Sequence, residues 1–114
     1  MSYVFQSHKE FEISFKRLSK RHRSLADDIR DFRDSLQKNP YQGAELCPGI
    51  RKIRMAIASK GRGKAGSARV ITAMAIIDEQ NGRIALLTIY DKQDYATVDV
   101  KTVRQMAREL GFNV

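Results

Sequence analysis

Hydrophobic positions in the first third of the chain recur at helical spacing in two consecutive segments. The first segment has its apolar stripe at Phe11, Phe15 and Leu18, and the second at Leu25, Ile29, Phe32 and Leu36. Ser7 and Ser24 are the expected N-caps, because each is followed three positions later by an acidic residue. Asn39 and Pro40 end the second segment. The pattern predicts two antiparallel amphipathic helices.

The second half of the chain has the composition and spacing of strands. Residues 50–58 alternate between apolar side chains and polar or small ones. Residues 68–77 and 83–92 are apolar and rich in β-branched side chains. Asn81 and Gly82 lie between these two segments and are typical of a hairpin turn. Three strands are therefore predicted here.

Three further segments complete the predicted fold. Residues 2–5 have a short β-like pattern, and residues 41–49 carry the glycine and proline of a connecting loop. A helix is predicted over residues 99–110, with Asp99 as its N-cap and Gly111 after its C-terminus. The order is β-α-α-β-β-β-α, and all 114 residues are assigned to a single α+β domain.

Charge and cysteine usage restrict the classes of partner. The chain has 21 lysines and arginines against 13 acidic residues, so its formal charge is +8, and a polyanion is the expected partner. Cys47 has no second cysteine to pair with, and no apolar run is long enough for a membrane span, so we expect a cytoplasmic protein. His8 and His22 lack further ligands at metal-binding spacing, so no metal site is predicted.

The positive charge is concentrated in the middle of the chain. Between Leu46 and Ile77 there is no acidic residue. The same stretch holds seven cations: Arg51, Lys52, Arg54, Lys60, Arg62, Lys64 and Arg69. A run of this kind favours an anionic ligand, while the alternative is an edge strand that uses its charges to resist aggregation.

A second basic cluster lies at the end of the first helix. It consists of Lys16, Arg17, Lys20, Arg21 and Arg23. The second helix carries four aspartates, Asp27, Asp28, Asp31 and Asp34. These aspartates are expected to pair with the cluster, which gives it a structural alternative to ligand binding.

The segment "GRGKAG" at residues 61–66 matches the spelling of a dinucleotide-binding loop. Such a loop requires a helix immediately after its last glycine. The residues that follow, 67–77, have the composition of a buried strand instead. We therefore expect no nucleotide cofactor, and we interpret the glycines as a bend in a basic loop between two strands.

Three motifs together resemble one protein family. They are "GIRKIRM" in the first predicted strand of the second half, "GRGKAGSARVI" across the glycine loop, and "ALLTIYDK" in the last strand. This combination is similar to the RelE/ParE toxin superfamily of type II toxin–antitoxin modules, and specifically to its RelE/HigB-like branch. The resemblance implies a RelE-like fold, with an active face on an antiparallel sheet and a helical hairpin packed behind it.

The same resemblance implies an enzyme, a metal-independent and ribosome-dependent mRNA endonuclease that inhibits translation. Lys52, Arg54 and Lys92 match basic positions of the family, and Arg69 matches the arginine placed against the scissile phosphate. Lys52 or Lys64 would act as the general base. The candidate RNA-binding residues beside them are Arg51, Lys60 and Arg62.

The chain departs from the family pattern at three positions. Gln93 follows Lys92 where an arginine is expected, Ser67 replaces the second glycine of the glycine pair, and Ala73 replaces a residue that is often aromatic. The terminal helix also lacks the tyrosine of the RelE type. Tyr95 or Tyr90 would have to take its place.

The resemblance further implies two macromolecular partners, mRNA on the ribosome and a cognate acidic antitoxin. Two alternatives remain open. A ParE-like member of the superfamily would poison DNA gyrase without any nuclease chemistry. A non-catalytic RNA-binding domain would bind through the same cations, but it would be expected to carry exposed aromatic residues among them.

Overall fold

A computed structural model describes residues 1–60, 66–94 and 98–114. Within them the chain forms five strands and three helices in the order β-α-α-β-β-β-β-α. These are β1 (Ser2–Ser7), α1 (Lys9–Ser19), α2 (Leu25–Lys38), β2 (Ala44–Cys47), β3 (Ile50–Ala56), β4 (Ser67–Ile76), β5 (Asn81–Asp91) and α3 (Val100–Glu109). A short 3-10 turn over Ala58–Lys60 follows β3. The predicted α+β class is confirmed.

The five strands form one sheet in the spatial order β1-β5-β4-β3-β2. β2, β3, β4 and β5 pair antiparallel, whereas β1 pairs parallel with β5. The sheet is therefore mixed at one edge, which the sequence pattern did not predict.

The predicted connecting loop at residues 41–49 contains a strand, so the prediction was wrong for its second half. β2 pairs with the start of β3, with Glu45 opposite Arg51. Arg51 also donates through Nε to the Gln42 carbonyl at 2.8 Å and through Nη2 to the Gly43 carbonyl at 3.1 Å. These contacts hold the segment before β2 against the sheet, and Gly43 takes a positive φ of 74° there.

The sheet has a hydrophobic core on each side. We call the side packed against α1 and α2 the hairpin face; its buried strand residues include Tyr3, Ile53, Met55, Val70, Ile84, Leu86 and Ile89. We call the other side the α3 face; its buried strand residues are Ile50, Ile71, Ala73, Ala85, Leu87 and Tyr90, which pack with Val103, Met106, Ala107 and Phe112. The helical hairpin thus packs on the side of the sheet opposite to α3.

The hairpin between β4 and β5 exists, but its turn lies earlier than predicted. Asn81 and Gly82 are the first residues of β5, and the turn is stabilised by Asp78, whose carboxylate accepts hydrogen bonds from the backbone N–H groups of Gln80 and Asn81. Gly82 is required for another reason. A Cβ atom at this position would lie 2.6 Å from the ring of Tyr3, which packs on the neighbouring strand.

The predicted caps of α3 are confirmed, the predicted N-cap of α1 is wrong, and that of α2 is correct in position only. Ser24 is the N-cap residue of α2, but its hydroxyl makes no capping hydrogen bond and donates to Asp28 instead. Asp99 caps α3 by accepting from the Lys101 N–H, and Gly111 has a positive φ of 87° just after the helix. The N-cap of α1 is His8 rather than Ser7, since the imidazole Nδ1 accepts from the Glu10 N–H at 3.0 Å. Among the helices of the described residues, none has the length and apolarity needed to cross a membrane.

Candidate active site

Two arginines and a tyrosine form a row across three strands on the α3 face. Arg54 lies between Ile53 and Met55, which are buried in the core of the hairpin face, so its side chain leaves the opposite face of β3. Arg54 is paired directly with Arg69 on β4, and Arg69 is paired directly with Tyr90 on β5. Directly opposed residues have Cβ atoms about 5 Å apart. We call Arg54, Arg69 and Tyr90 the arginine row.

Lys52 extends the arginine row along β3. It lies two residues before Arg54, and therefore on the same face, and it is paired with Ile71, which is buried in the core of the α3 face. Lys52 itself is half-buried. On β3, Lys52 thus lies between Ile50, which packs in the core of the α3 face, and Arg54 of the arginine row.

The guanidinium of Arg69 is held in place by its own strand. Its Nη1 donates to the Ser67 hydroxyl at 2.9 Å and to the Ala68 carbonyl at 3.3 Å. Ser67 is only 1% exposed, so this hydroxyl is a fixed acceptor. Arg69 is half-buried, whereas its neighbour Arg54 is exposed.

Tyr90 contributes both packing and a phenol group to the row. The residue is 7% exposed and belongs to the core of the α3 face. Burial raises the pKa of Tyr90, while the positive charge of Arg69 acts in the opposite direction; the net pKa lies above the ordinary value. The phenol is therefore protonated at neutral pH and able to donate a hydrogen bond.

The arginine row has no carboxylate beside it in the sheet. Within the bounds of β3, β4 and β5, Asp91 is the only acidic residue, and it is paired with Ala68, which is buried in the core of the hairpin face. Asp91 therefore faces away from the row. Like charges directly opposite each other destabilise a sheet, so the arrangement of Arg54 and Arg69 favours an anion bound between them.

Asp91 is the centre of a buried ion-pair network at the same end of the sheet. Asp91 is 3% exposed. Its carboxylate accepts from Lys60 Nζ at 3.1 and 3.2 Å and from the Gln93 N–H at 3.1 Å. Arg21 donates to it at 3.4 Å, and His22 Nε2 lies 3.3 Å away. Burial raises the pKa of Asp91, but the Gln93 N–H, Lys60 and His22 outweigh it and hold the pKa below its ordinary value. The network ties the turn after α1 to the turn after β3.

The structure does not bring all of the predicted basic residues together. Lys52, Arg54 and Arg69 share one face, and Lys92 lies exposed immediately after β5. Arg51 lies on the other face and is engaged by backbone carbonyls, and the charge of Lys60 is neutralised by Asp91. Both side chains are largely buried, at 16% and 17% exposure. We therefore leave Arg51 and Lys60 out of the proposed RNA-binding surface. Arg62, Lys64 and Tyr95 lie outside the described residues.

The expected pairing between the basic end of α1 and the aspartates of α2 is wrong for Arg21 and for Asp28. Arg21 bridges to Asp91 and Asp94 instead. Asp28 accepts from the Ser24 hydroxyl at 2.6 Å and from the Ala58 N–H at 3.2 Å. Charge counting along the sequence could not identify Asp91, Asp94 and Ala58 as partners, because each lies 30 or more residues from the residue that it contacts.

Two important residues were missed or misjudged from the sequence. Ser67 was identified only as a departure from a glycine pair, whereas it holds Arg69. Asp91 was not singled out. Its signal in the sequence is its place at the end of an apolar strand, because a carboxylate buried there has to be paired.

Comparison with known families gives no independent identification. The chain matches no protein-family model. Within the described residues there is also no group of three or more histidine, cysteine or acidic side chains arranged to hold a metal ion. The RelE/ParE resemblance stays a prediction from sequence motifs, and the arginine row is the structural feature that can be argued from physical chemistry alone.

Proposed function

We propose that this protein is the toxin of a type II toxin–antitoxin module, a RelE/HigB-like mRNA interferase that cleaves mRNA on the ribosome in the cytoplasm. One observation carries the proposal. Arg54 and Arg69 are directly opposed on neighbouring strands, with Tyr90 beside Arg69 and Lys52 on the same face. Such a cluster fits a phosphodiester much better than it fits a neutral or cationic ligand.

The reaction requires attack of a ribose 2′-hydroxyl on the adjacent phosphate. A cyclic phosphate forms and the bond to the 5′-oxygen of the next nucleotide breaks. Negative charge grows on the nonbridging oxygens in the transition state, and fixed positive charge aimed at those oxygens lowers the barrier. Arg69 supplies this charge from an anchored guanidinium, and Arg54 supplies it from the opposite side.

Proton transfer requires a base for the 2′-hydroxyl and an acid for the leaving oxygen. Lys52 is the proposed base, because it lies on the same face of the sheet as the arginine row. Lys64 is the alternative base that the resemblance implies. The phenol of Tyr90 is the proposed donor to the phosphate or to the leaving oxygen, because Tyr90 is paired directly with Arg69 in the arginine row. Tyr95 is the alternative acid. No cofactor enters this scheme.

An acidic antitoxin is the partner expected to inhibit the protein. The positive charges of Arg54 and Arg69 repel each other when no anion is bound between them. An acidic segment that folds over the arginine row would therefore gain favourable charge contacts and exclude RNA. A complex in which Arg69 stays solvent-exposed would argue against this mode of inhibition.

Primer extension on cellular mRNA after induced expression tests the proposal. Growth arrest with new 5′ ends at codon-linked positions is the expected result, and Arg69→Ala should abolish both the arrest and the new ends. Intact mRNA in arrested cells would refute the nuclease. Loss of gyrase supercoiling activity in the same cells would favour the ParE-like alternative, and RNA binding without cleavage would favour the non-catalytic one.

A further inference from the structure

Ser67 and Arg69 form a contact that neither the sequence motifs nor the proposed chemistry requires. They lie two residues apart on β4, so both side chains leave the same face of the strand. The Ser67 hydroxyl accepts from Arg69 Nη1 at 2.9 Å, and the Ala68 carbonyl is a second, longer acceptor for the same nitrogen. The hydrogen bonds of Arg69 to the described residues all start from Nη1.

This contact matters because the position of Arg69 is electrostatically unfavourable. Arg54 stands directly opposite, and repulsion favours rotamers of Arg69 that swing its charge out into water. An arginine side chain also has many rotamers, and fixing it has an entropic cost. The hydroxyl of Ser67, a residue that is only 1% exposed, counteracts both effects because it accepts a hydrogen bond from Nη1 and holds it in place. The Nε and Nη2 donors then stay in a defined plane for a ligand.

We propose that Ser67 is a positioning residue that fixes the guanidinium of Arg69 in the orientation that receives the scissile phosphate. This inference rests on the proposed function for the identity of the ligand. Ser67 does not touch the reacting atoms, and it acts only through Arg69. A glycine at the same position would leave Arg69 with the Ala68 carbonyl alone.

Single-turnover cleavage on saturated ribosome complexes tests the role. Ser67→Ala should lower the cleavage rate about tenfold, which corresponds to the loss of one hydrogen bond to a charged group, and should leave the affinity nearly unchanged. In an Arg69→Ala background the same substitution should have no further effect, because the two residues act as one unit. Thr72→Val is the matched control; it removes another buried hydroxyl from β4 and should retain the parent rate.

Equal rate losses from Ser67→Ala in the parent and in the Arg69→Ala background would overturn the proposal, as would a Ser67→Ala rate equal to that of the parent.

A second measurement needs neither a variant nor a cleavage reaction. In the NMR spectrum of the parent, the Arg69 guanidinium should rotate about its Nε–Cζ bond at least tenfold more slowly than that of exposed Arg54. Equal rotation rates would refute the anchoring by Ser67, whereas a parent that leaves mRNA intact would refute the proposed function.

Discussion

Replacing Asp91 with asparagine should strongly destabilise the protein, because this carboxylate is the only acid that neutralises Lys60 in the described residues. Asp91 and Lys60 side chains are 4% and 17% exposed, and Lys60 Nζ lies 3.1 Å from the nearer carboxylate oxygen. Asparagine keeps the shape of the side chain but not its charge. Lys60 would be left as a largely buried cation without its partner.

The size of the loss follows from the exposure of the partners. Removal of one member of a buried ion pair costs about 3 to 5 kcal/mol. Arg21 is 51% exposed, so its contact with Asp91 adds less than about 1 kcal/mol. Because Lys60 keeps some access to water, we expect a loss near the lower limit, about 3 kcal/mol. For a chain of this size the midpoint of thermal unfolding should fall by roughly 10 °C.

The same reasoning predicts how the loss depends on pH. The folded-state pKa of Asp91 is lowered, so its stabilisation is fully present above the unfolded-state pKa of about 4 and disappears as the pH falls through the folded-state value. Asp91→Asn should therefore differ from the parent at neutral pH. The difference between the two proteins should shrink as the pH falls through the folded-state pKa of Asp91, which lies below the ordinary value, because Asp91 of the parent then becomes protonated.

Urea unfolding followed by circular dichroism measures both effects. Asp94→Asn is the control, since Asp94 is 42% exposed and its one ion pair is with Arg21 within the described residues; its effect should stay within about 0.5 kcal/mol. A loss below about 1 kcal/mol for Asp91→Asn at pH 7 would refute the account of this network. A loss that is equal at neutral and acidic pH would also refute it.

Three further substitutions test other parts of the structure. Lys60→Ala should lower the free energy of unfolding more than it lowers affinity for RNA, because Lys60 is bound to Asp91; an unchanged urea midpoint would contradict this. Gly82→Ala should destabilise by about 2 kcal/mol in the same assay, because its Cβ would lie 2.6 Å from the Tyr3 ring. Lys92→Ala should weaken binding to ribosome–mRNA complexes and reduce the salt slope by about one, whereas Lys38→Ala at the end of α2 should not. Equal losses for the two lysines would argue against a defined RNA surface.

Most elements of the fold could be predicted because their signals are local. The apolar stripes of α1 and α2 and the caps of α3 depend on residues within a few positions of one another. β2 was missed because its four residues become a strand only by pairing with β3. The parallel pairing of β1 with β5 joins residues nearly 80 positions apart, and no local pattern encodes such a contact.

The candidate site could be predicted only in part. The alternation of β3 shows from sequence that Lys52 and Arg54 share a face, but the pairing of Arg54 with Arg69 requires the register of the sheet. The engagement of Lys60 by Asp91 joins residues 31 positions apart, and a count of charges therefore overestimated the free cations. The role of Ser67 depends on the orientation of one arginine side chain.

The most direct test of the central claim is the single-turnover cleavage rate of Arg69→Ala on saturated ribosome–mRNA complexes. If Arg69 neutralises the charge that develops on the phosphate, the rate should fall at least a hundredfold, or roughly 3 kcal/mol, while the affinity changes far less. Arg33→Ala, which removes an exposed arginine of α2 stacked on Phe5, should cleave at the parent rate. An Arg69→Ala protein that loses affinity but keeps the saturated rate of the parent would show that the arginine row only docks RNA, and would contradict the account.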